Sequence, residues 1–293
     1  MVRRYVHEEP TSKLAIWARR TAFFAFLASF IAVIIVRSGM LENMPALATL
    51  GGAIAIAGIA VLLSFAAFVV IWMEGLAGMG KALAALFISL ALIAYPAYLS
   101  IRAAKLPWIY DITTDPLDPP RYEALARVRP RDANPVAYAG LYSAEQQRSA
   151  YPDIGPMLVN ATPEMAYEAA RNVIARRRDT PIAPLWRVIE LRAPLAAAKR
   201  EGRIEAVAYT SLMGLRDDVV VRFRAEADGT RIDARSSSRY GSFDFGANAT
   251  RIRNLMNDID LAIAAQKQVR PRGPTVKKAV PPAKKGQTSQ NRQ

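Results

Sequence analysis

The sequence contains no cysteine and only one histidine, His7. Without cysteine the chain has no disulfide framework, no thiol nucleophile and no thiolate ligand for a metal ion. Because the single histidine lies in the N-terminal tail, the rest of the chain cannot build a Ser-His-Asp triad or a histidine-ligated metal site. These absences exclude the commonest nucleophilic and zinc-dependent chemistries, and we expect neither a metal nor a cofactor.

Acidic residues are missing from the C-terminal end of the chain. The formal net charge is +14, and residues 266–293 hold eight basic residues and no acidic one, whereas residues 102–265 hold 24 basic and 21 acidic residues. Residues 267–293 also lack aromatic side chains, so we predict a disordered basic tail without the stacking platform of single-strand nucleic-acid binders. We expect no nucleic-acid partner; the tail either holds an anionic surface or only adds solubility.

Charged residues are also missing from three long hydrophobic runs near the N-terminus. These runs predict transmembrane helices at about 17–36, 46–73 and 82–101, within a membrane anchor formed by residues 1–105. No small-x-small cleavage site follows the first run, which favours an uncleaved anchor over a signal peptide. A transport site would place ionisable groups in the middle of a span. Since none is present, we interpret the helices as an anchor, with a larger membrane assembly as the alternative.

The second hydrophobic run contains two small-x-x-x-small pairs, Gly51 with Ala55 and Ala53 with Ala57. Such pairs allow two helix backbones to approach closely. Alanine is common throughout this run, so chance also explains the pattern. The two interpretations differ in whether these residues lie at a helix interface.

The basic residues that flank the predicted spans favour one orientation. With the N-terminus inside, the inner flanks hold Arg3, Arg4, Lys13, Arg19, Arg20 and Lys81, and the outer flanks hold Arg37, Arg102 and Lys105. Cytoplasmic flanks carry the excess of Lys and Arg. We therefore expect an integral inner-membrane protein with its N-terminus inside and its C-terminal domain in the periplasm of a bacterium.

Residues 106–161 form a proline-rich segment that we predict to be extended and rich in turns. Within it, Asp111, Asp115 and Asp118 resemble the carboxylate spacing of a calcium loop. The glycine and the closing glutamate of an EF-hand are absent from this spacing. Asx turns beside the prolines therefore explain these three residues more simply.

The stretch after Asp217 carries the pattern of a β-hairpin. Apolar residues alternate with polar ones from 218 to 226, and Asp228-Gly229 is a two-residue turn sequence. Counting outward from this turn places Phe223 opposite Ala234, Arg224 opposite Asp233, and Arg222 opposite Arg235. The last pair is like-charged and is the one conflict in the predicted ladder.

Further elements flank this hairpin within residues 162–266. A helix is predicted from Thr162, with Pro163 in its first position, and strands at 186–192 and 204–210. A final helix follows the hairpin, with Asp244 or Asn248 as its N-cap. The fold class is therefore membrane-anchored α+β, with three transmembrane helices followed by helix, four-stranded antiparallel sheet and helix.

Three blocks of this sequence carry a resemblance to a known family. DDVVVRFRAEADGTRIDARSSSRYGSFDFGANATRIRNLM (217–256) resembles the second half of the domain of unknown function 1499, and IEAVAYT (204–210) and DITTDPLDPPRYEAL (111–125) resemble its earlier blocks. The resemblance spans roughly residues 108–265. It implies a bacterial protein whose membrane helices precede a small α+β domain. The family has no assigned activity, so the resemblance implies no chemistry.

One group of side chains is a candidate anion-binding site. It combines three arginines of the hairpin with polar residues at the start of the last helix: Arg222, Arg235, Arg239, Ser242, Asp244 and Asn248. Guanidinium groups and a helix N-terminus together suit a carboxylate or phosphate. The alternative is that Glu205, Asp217 or Asp218 neutralises the arginines across the sheet. We expect no catalysis, because Asp244 as N-cap would have a lowered pKa unsuited to a general base.

Three hypotheses for function follow from these observations. The first is a membrane-anchored, extracytoplasmic module that binds a ligand or partner without chemistry, its partners being the lipid bilayer and an anionic envelope component or a protein. The second is a metal-independent hydrolase that uses Asp and Ser. The third is a structural subunit of an envelope complex, in which the spans form the interface.

Overall fold

Three long apolar helices begin the chain in the computed structural model, which describes residues 10–38, 43–178, 186–195, 200–210 and 213–269. They are α1 (Lys13–Ser38), α2 (Asn43–Glu74) and α3 (Met79–Ala103). Each is long and apolar enough to cross a membrane, with mean hydropathy of 2.1, 2.9 and 2.0. They cover the three predicted hydrophobic runs. Arg3 and Arg4 lie outside the described residues, as does residue 270 onward of the predicted tail. Residues 267–269, predicted as the start of that disordered tail, instead form the end of a helix, α7 (Ala247–Val269).

Small side chains line the contacts between these helices. The buried residues of α1 recur every three or four positions and are Ala15, Ala18, Ala22, Ala25, Ser29, Ala32 and Val36. On α2, Ala53 and Ala57 are buried, whereas Gly51 and Ala55 are exposed. Only one of the two predicted small-residue pairs therefore lies at a helix interface. Alanine allows the close approach because its side chain ends at the methyl group.

The sheet domain lies at the end of the bundle where α1 and α3 end. At the opposite end, the Ser12 N–H donates to the Ala77 carbonyl oxygen at 2.9 Å, which joins the start of α1 to the turn between α2 and α3. At the domain end, the Cγ of Arg37 lies only 3.0 Å from the position of a Cβ added to Gly214. The loop before β5 therefore contacts the last turn of α1.

The domain is built on an antiparallel sheet of six strands, not the predicted four. The strands are β1 (Asp111–Thr113), β2 (Met157–Val159), β3 (Trp186–Arg192), β4 (Gly202–Tyr209), β5 (Arg216–Glu226) and β6 (Gly229–Ser238). Their order is β1-β6-β5-β4-β3, and β2 pairs with the same side of β6 as β1 but nearer its start. The two missed strands have three residues each, too few for an alternating pattern to show.

The β5–β6 hairpin has a register shifted by two residues from the predicted one. Phe223 pairs with Ile232 and Arg222 pairs with Asp233, so the predicted conflict between Arg222 and Arg235 does not occur. Gly229 is the first residue of β6 rather than part of the turn. A Cβ added there would lie 2.2 Å from the Val159 carbonyl oxygen. Glycine is needed there for two reasons: β2 passes close to the hairpin, and the φ of 144° is one that residues with a side chain rarely adopt.

One face of the sheet packs against α6 (Pro163–Arg178) and α7 (Ala247–Val269). Val219, Val221 and Phe223 lie in this core, as the alternation predicts. The backbone N–H of Met165 donates to Thr162 Oγ1 at 3.3 Å, which confirms the predicted start of α6. The two helices therefore cover one sheet face.

The other face is covered by the proline-rich segment, which is more ordered than predicted. It forms α4 (Ala124–Val128) and α5 (Gly140–Ala150) in addition to β1 and β2. Tyr122 and Leu125 from this segment form a second, smaller core with Val207 and Val220. We call residues 114–139 the covering segment and the sheet face beneath it the covered polar face, because most of the remaining side chains on this face are charged.

Candidate functional site

The covered polar face carries the three arginines of the predicted anion site. Arg222, Arg235 and Arg239 are all buried. A buried guanidinium requires a charged or hydrogen-bonded partner, since leaving it unpaired costs several kcal/mol. The nature of these partners decides whether the face can accept an external anion.

Arg222 donates hydrogen bonds to two carboxylates, and a third, that of Asp115, lies 3.9 Å away. Its Nη2 donates to Asp233 Oδ2 at 3.0 Å, and its Nη1 donates to Asp118 Oδ2 at 3.1 Å. The side chains around it form a cluster of three arginines and three aspartates: Arg222, Arg224, Arg231, Asp115, Asp118 and Asp233. Desolvation acts to raise the pKa of Asp118, but Arg222 and Arg224 outweigh it and hold that pKa below its usual range. The charges of this cluster balance.

The guanidinium group of Arg235 has partners on all sides. Its Nε and Nη2 donate to the two carboxylate oxygens of Asp111 at 2.9 and 2.7 Å. The carbonyl oxygens of Pro120 and Val136 accept further hydrogen bonds at 3.3 and 3.0 Å. The guanidinium carbon lies 4.6 Å from the ring centre of Tyr122. Arg235 therefore joins β6 to β1 and to the covering segment.

Tyr138 forms a second aromatic wall beside Arg235, at 5.6 Å from ring centre to guanidinium carbon. Burial raises the pKa of Tyr138 to about 12, with Asp111 acting in the same direction. Burial also raises the pKa of Tyr122. Both phenols therefore stay neutral near pH 7, and neither can serve as a proton acceptor there.

Arg239 shares one carboxylate with an arginine of the covering segment. Its Nε donates to Asp218 Oδ1 at 2.8 Å, and Arg129 Nε lies 3.1 Å from Asp218 Oδ2. Desolvation raises the pKa of Asp218 even though both arginines oppose this shift. The ion pair between Arg239 and Asp218 links the end of β6 to β5. The ion pair between Arg129 and Asp218 holds the residues after α4.

The polar residues at the start of α7 also have partners within the protein. Asp244 Oδ1 and Oδ2 accept from the backbone N–H groups of Gly246 and Asn248 at 2.8 and 2.9 Å. Asn248 donates to the Tyr110 carbonyl oxygen at 2.9 Å. Ser242 Oγ accepts from Trp108 Nε1 at 2.9 Å. Of the two residues predicted as the cap of α7, Asp244 is therefore the one whose side chain caps it, and Asn248 lies in the first turn of the helix.

The predicted lowered pKa of Asp244 is wrong. Burial raises the pKa of this carboxyl, and the hydrogen bonds from Asn248 and Gly246 only partly offset the desolvation. The prediction counted the N–H donors but not the loss of solvent around a buried carboxylate. A raised pKa suits a general base, yet both oxygens of Asp244 are bound to backbone N–H groups and Ser242 bonds to Trp108 instead.

Two of the three carboxylates predicted to neutralise the arginines have other partners. Asp218 does pair with Arg239, but Asp217 pairs with Arg251, and Glu205 accepts the backbone N–H groups of Glu123 and Leu125 at 2.8 and 2.7 Å. The partners that sequence reasoning missed are Asp111, Asp115, Asp118 and Asp233. For the first three the signal was the cluster of aspartates and prolines in 111–120, which was interpreted as local turns only. Asp233 was placed opposite Arg224, whereas the observed register pairs it with Arg222.

The Asx-turn interpretation is confirmed for Asp115, whose Oδ1 accepts the backbone N–H groups of Leu117 and Asp118 at 3.2 and 3.1 Å. Its other oxygen, Oδ2, pairs with Arg231 at 2.5 Å. In the described ranges no three His, Cys, Asp or Glu residues group as a metal site.

The arrangement joins the six predicted residues into two neighbouring sets, the arginines beneath the covering segment and the cap of α7. Every one of the six already uses its polar groups within the protein. Chemically, the ion pairs fix β1 and the covering segment to β5 and β6. Anion binding at these residues stays a prediction. The observed contacts explain the same residues as structural links between the covering segment and the sheet.

Comparison with known proteins places the domain in a family. The model of a family described as a protein of unknown function (DUF1499) matches residues 111–259. No curated protein matches the chain. The family match covers more than half of the sequence and includes the covering segment, the sheet and most of α7, so the chain belongs to the DUF1499 family.

Proposed function

We propose that this DUF1499 protein is a membrane-anchored, non-catalytic binding module whose domain lies outside the cytoplasm. The observation that carries the proposal is the internal pairing of the covered polar face. Acid–base chemistry needs a group that is free to exchange a proton with a substrate. The carboxylates of this face and of the α7 cap instead pair with arginines or accept backbone N–H groups. Such contacts serve to make a domain rigid.

The distribution of basic residues supports the orientation. Lys81 and the first residues of α1 lie at one end of the bundle, with Lys13, Arg19 and Arg20 in the early turns of α1. Arg37, Arg102 and Lys105 lie at the end that holds the domain. Since the cytoplasmic side carries the excess of basic flanks, the domain end is the outer one. In a bacterium that compartment is the periplasm.

The surface that we assign to a partner is the free edge of β3. This strand has seven residues and, in the part of the chain that the structure describes, pairs only with β4. An extended segment of another protein can add to such an edge through backbone hydrogen bonds. Leu191, which is exposed on this edge, offers an apolar contact for that segment. A protein partner therefore fits the surface better than a small anion does.

Two measurements test the proposal. A C-terminal alkaline phosphatase fusion is expected to be active and a C-terminal fluorescent protein fusion dark; the reverse result would place the domain inside. A photo-crosslinking residue at position 191 is then expected to capture one protein in living cells. The same residue at position 158, an exposed leucine on β2, is the matched control. Equal capture at both positions would rule out the β3 edge as the binding surface.

The competing hydrolase hypothesis predicts turnover by the purified full-length chain in a broad substrate screen. Our proposal predicts none. Turnover that is lost in both Ser242→Ala and Asp244→Asn, while the melting temperature of Ser242→Ala is unchanged, would overturn the non-catalytic assignment.

A further inference from the structure

Three aromatic side chains form an exposed cluster on the domain, close to the end of α3. The ring centres of Trp108 and Phe243 are 4.9 Å apart and stacked, and those of Phe243 and Phe245 are 4.6 Å apart. Trp108 is 64% exposed and Phe245 is 39% exposed. We call Trp108, Phe243 and Phe245 the aromatic cluster. The domain core and the covered polar face make no use of it.

One residue of the cluster, Phe245, has a backbone conformation in the left-handed region. Phe245 has a φ of 54° and is the only non-glycine residue with positive φ in the described ranges. This conformation is unfavourable for a residue with a side chain. Glycine would make the same turn into the cap of α7 without that cost. A bulky ring that is both strained and exposed indicates a role outside the domain itself.

The position of the cluster relative to the spans is fixed by the chain. From Lys81 to Arg102, α3 rises about 32 Å at ~1.5 Å per residue, which matches the ~30 Å hydrocarbon core of a bilayer. Trp108 follows Arg102 by six residues. Leu106 Cδ1 lies 3.2 Å from the position of a Cβ added to Gly246. The start of α7 therefore lies against the chain that has just left the span.

The residues around the cluster complete an interfacial belt. Tyr95 and Tyr98 are exposed on the outer half of α3, and Arg102 and Lys105 are exposed between them and Trp108. Trp and Tyr concentrate where hydrocarbon meets the polar headgroups, because one part of each ring system is apolar and the other forms hydrogen bonds. Lys and Arg at the same level face lipid phosphates.

We propose that the aromatic cluster is a membrane-binding surface that seats the domain in the headgroup region of the bilayer at the end of α3. The partner is the lipid interface, with the rings at the level of the glycerol and phosphate groups and Arg102 and Lys105 beside the phosphates. We call this contact between the aromatic cluster and the bilayer the seat. It holds one end of the sheet, the end with β1 and the loop before β5, against the membrane. It rests on the membrane anchoring proposed above but not on which side the domain lies.

Tryptophan quenching by brominated phospholipids in nanodiscs tests the seat on the full-length chain. The sequence has four tryptophans, and Trp186 is buried in the domain core and stays in every variant as a constant. The double variant Trp17→Phe/Trp72→Phe keeps Trp108 as a reporter beside Trp186. Adding Trp108→Phe leaves Trp186 alone, and the emission of this triple variant is subtracted as background. Trp17→Phe with Trp108→Phe leaves Trp72, which is 86% exposed on α2. Leu158→Trp in the background variant is the matched control, since Leu158 is 74% exposed on β2.

The seat predicts that Trp108 emission is blue-shifted and is quenched more by lipids brominated near the glycerol than by lipids brominated near the chain end. The control Trp at 158 is expected to keep a water-like emission without quenching. If Trp72 is quenched while Trp108 behaves as the control does, the seat is wrong and the anchor stands. If Trp72 is not quenched either, the bundle is not in the bilayer and the anchoring in the proposed function fails as well.

Discussion

Asp111 and Arg235 lie on the neighbouring strands β1 and β6 and share two hydrogen bonds, at 2.9 and 2.7 Å. The side chain of Arg235 is 2% exposed and that of Asp111 is 0% exposed. A bidentate pair in this setting is strong only while both partners are present, because either charge alone would be buried without compensation. The pair therefore ties β1 to β6 beneath the covering segment, where both side chains are almost fully buried.

Replacing one partner of this pair is expected to destabilise the domain severely. Arg235→Met leaves Asp111 buried and unpaired, and we expect a loss of about 3–5 kcal/mol in the free energy of unfolding. Denaturant unfolding of the full chain in detergent micelles, followed by near-UV circular dichroism, measures it. The matched control is Arg253→Met, which breaks an ion pair with Asp153 at the surface. That control is expected to cost about 0–1 kcal/mol.

The double variant Asp111→Leu/Arg235→Met separates the pair from its surroundings. Since both charges are gone, the double variant should be more stable than Arg235→Met alone. A double variant at least as unstable as Arg235→Met would show that the damage comes from the lost contacts with Pro120, Val136 and Tyr122 rather than from an unpaired carboxylate.

A second prediction concerns Gly229. Gly229→Ala places a Cβ 2.2 Å from the Val159 carbonyl oxygen, so β2 must move away from β6. Gly241→Ala is the matched control, since Gly241 also has a positive φ but has open space around an added Cβ. The control carries only the backbone cost of about 1–2 kcal/mol. We expect a clearly larger loss for Gly229→Ala and faster hydrogen exchange at residues 157–159. Equal losses would refute the close approach.

The pH dependence of stability gives a third prediction, at Asp118. The pKa of this carboxyl is lowered in the folded protein by Arg222 and Arg224, against the opposing effect of desolvation. Its contribution to stability is therefore present above its unfolded pKa of about 3.9 and is lost as the pH falls through the folded pKa. Asp118→Asn should lose stability at pH 7 and show less additional loss on acidification than the wild type. Parallel pH profiles of the two proteins would contradict this.

The sequence predicts the hairpin faces but not its register, and the reason is the strand period. Alternation of Val219, Val221 and Phe223 with polar residues identifies the face toward α6 and α7. A shift by two residues leaves every side chain on the same face, so the pattern cannot distinguish the two registers. The turn should decide between them. The structural use of Gly229, however, depends on β2, which lies about seventy residues earlier in the chain.

The candidate site was only partly predictable for a similar reason. The arginines of β5 and β6 were identified, since they follow the strand alternation. Their partners Asp111, Asp115 and Asp118 lie about a hundred residues earlier, in a segment where proline suppresses any periodic signal. Long-range pairing of this kind depends on the fold. The cap of α7, by contrast, is local, and the sequence narrowed it to Asp244 or Asn248.

The last prediction contrasts Asp244 with Asp118. Burial raises the pKa of Asp244 in the folded protein, and the hydrogen bonds from Asn248 and Gly246 oppose this shift without cancelling it. Its contribution is therefore present below the unfolded pKa of about 3.9 and is lost as the pH rises through the folded pKa. On acidification from pH 7 the wild type should gain stability relative to Asp244→Asn, the opposite sign to Asp118→Asn. Unfolding free energies of both variants and the wild type across this range measure the two signs. If Asp244→Asn shifted in the same direction as Asp118→Asn, the N–H groups at the start of α7 would outweigh desolvation.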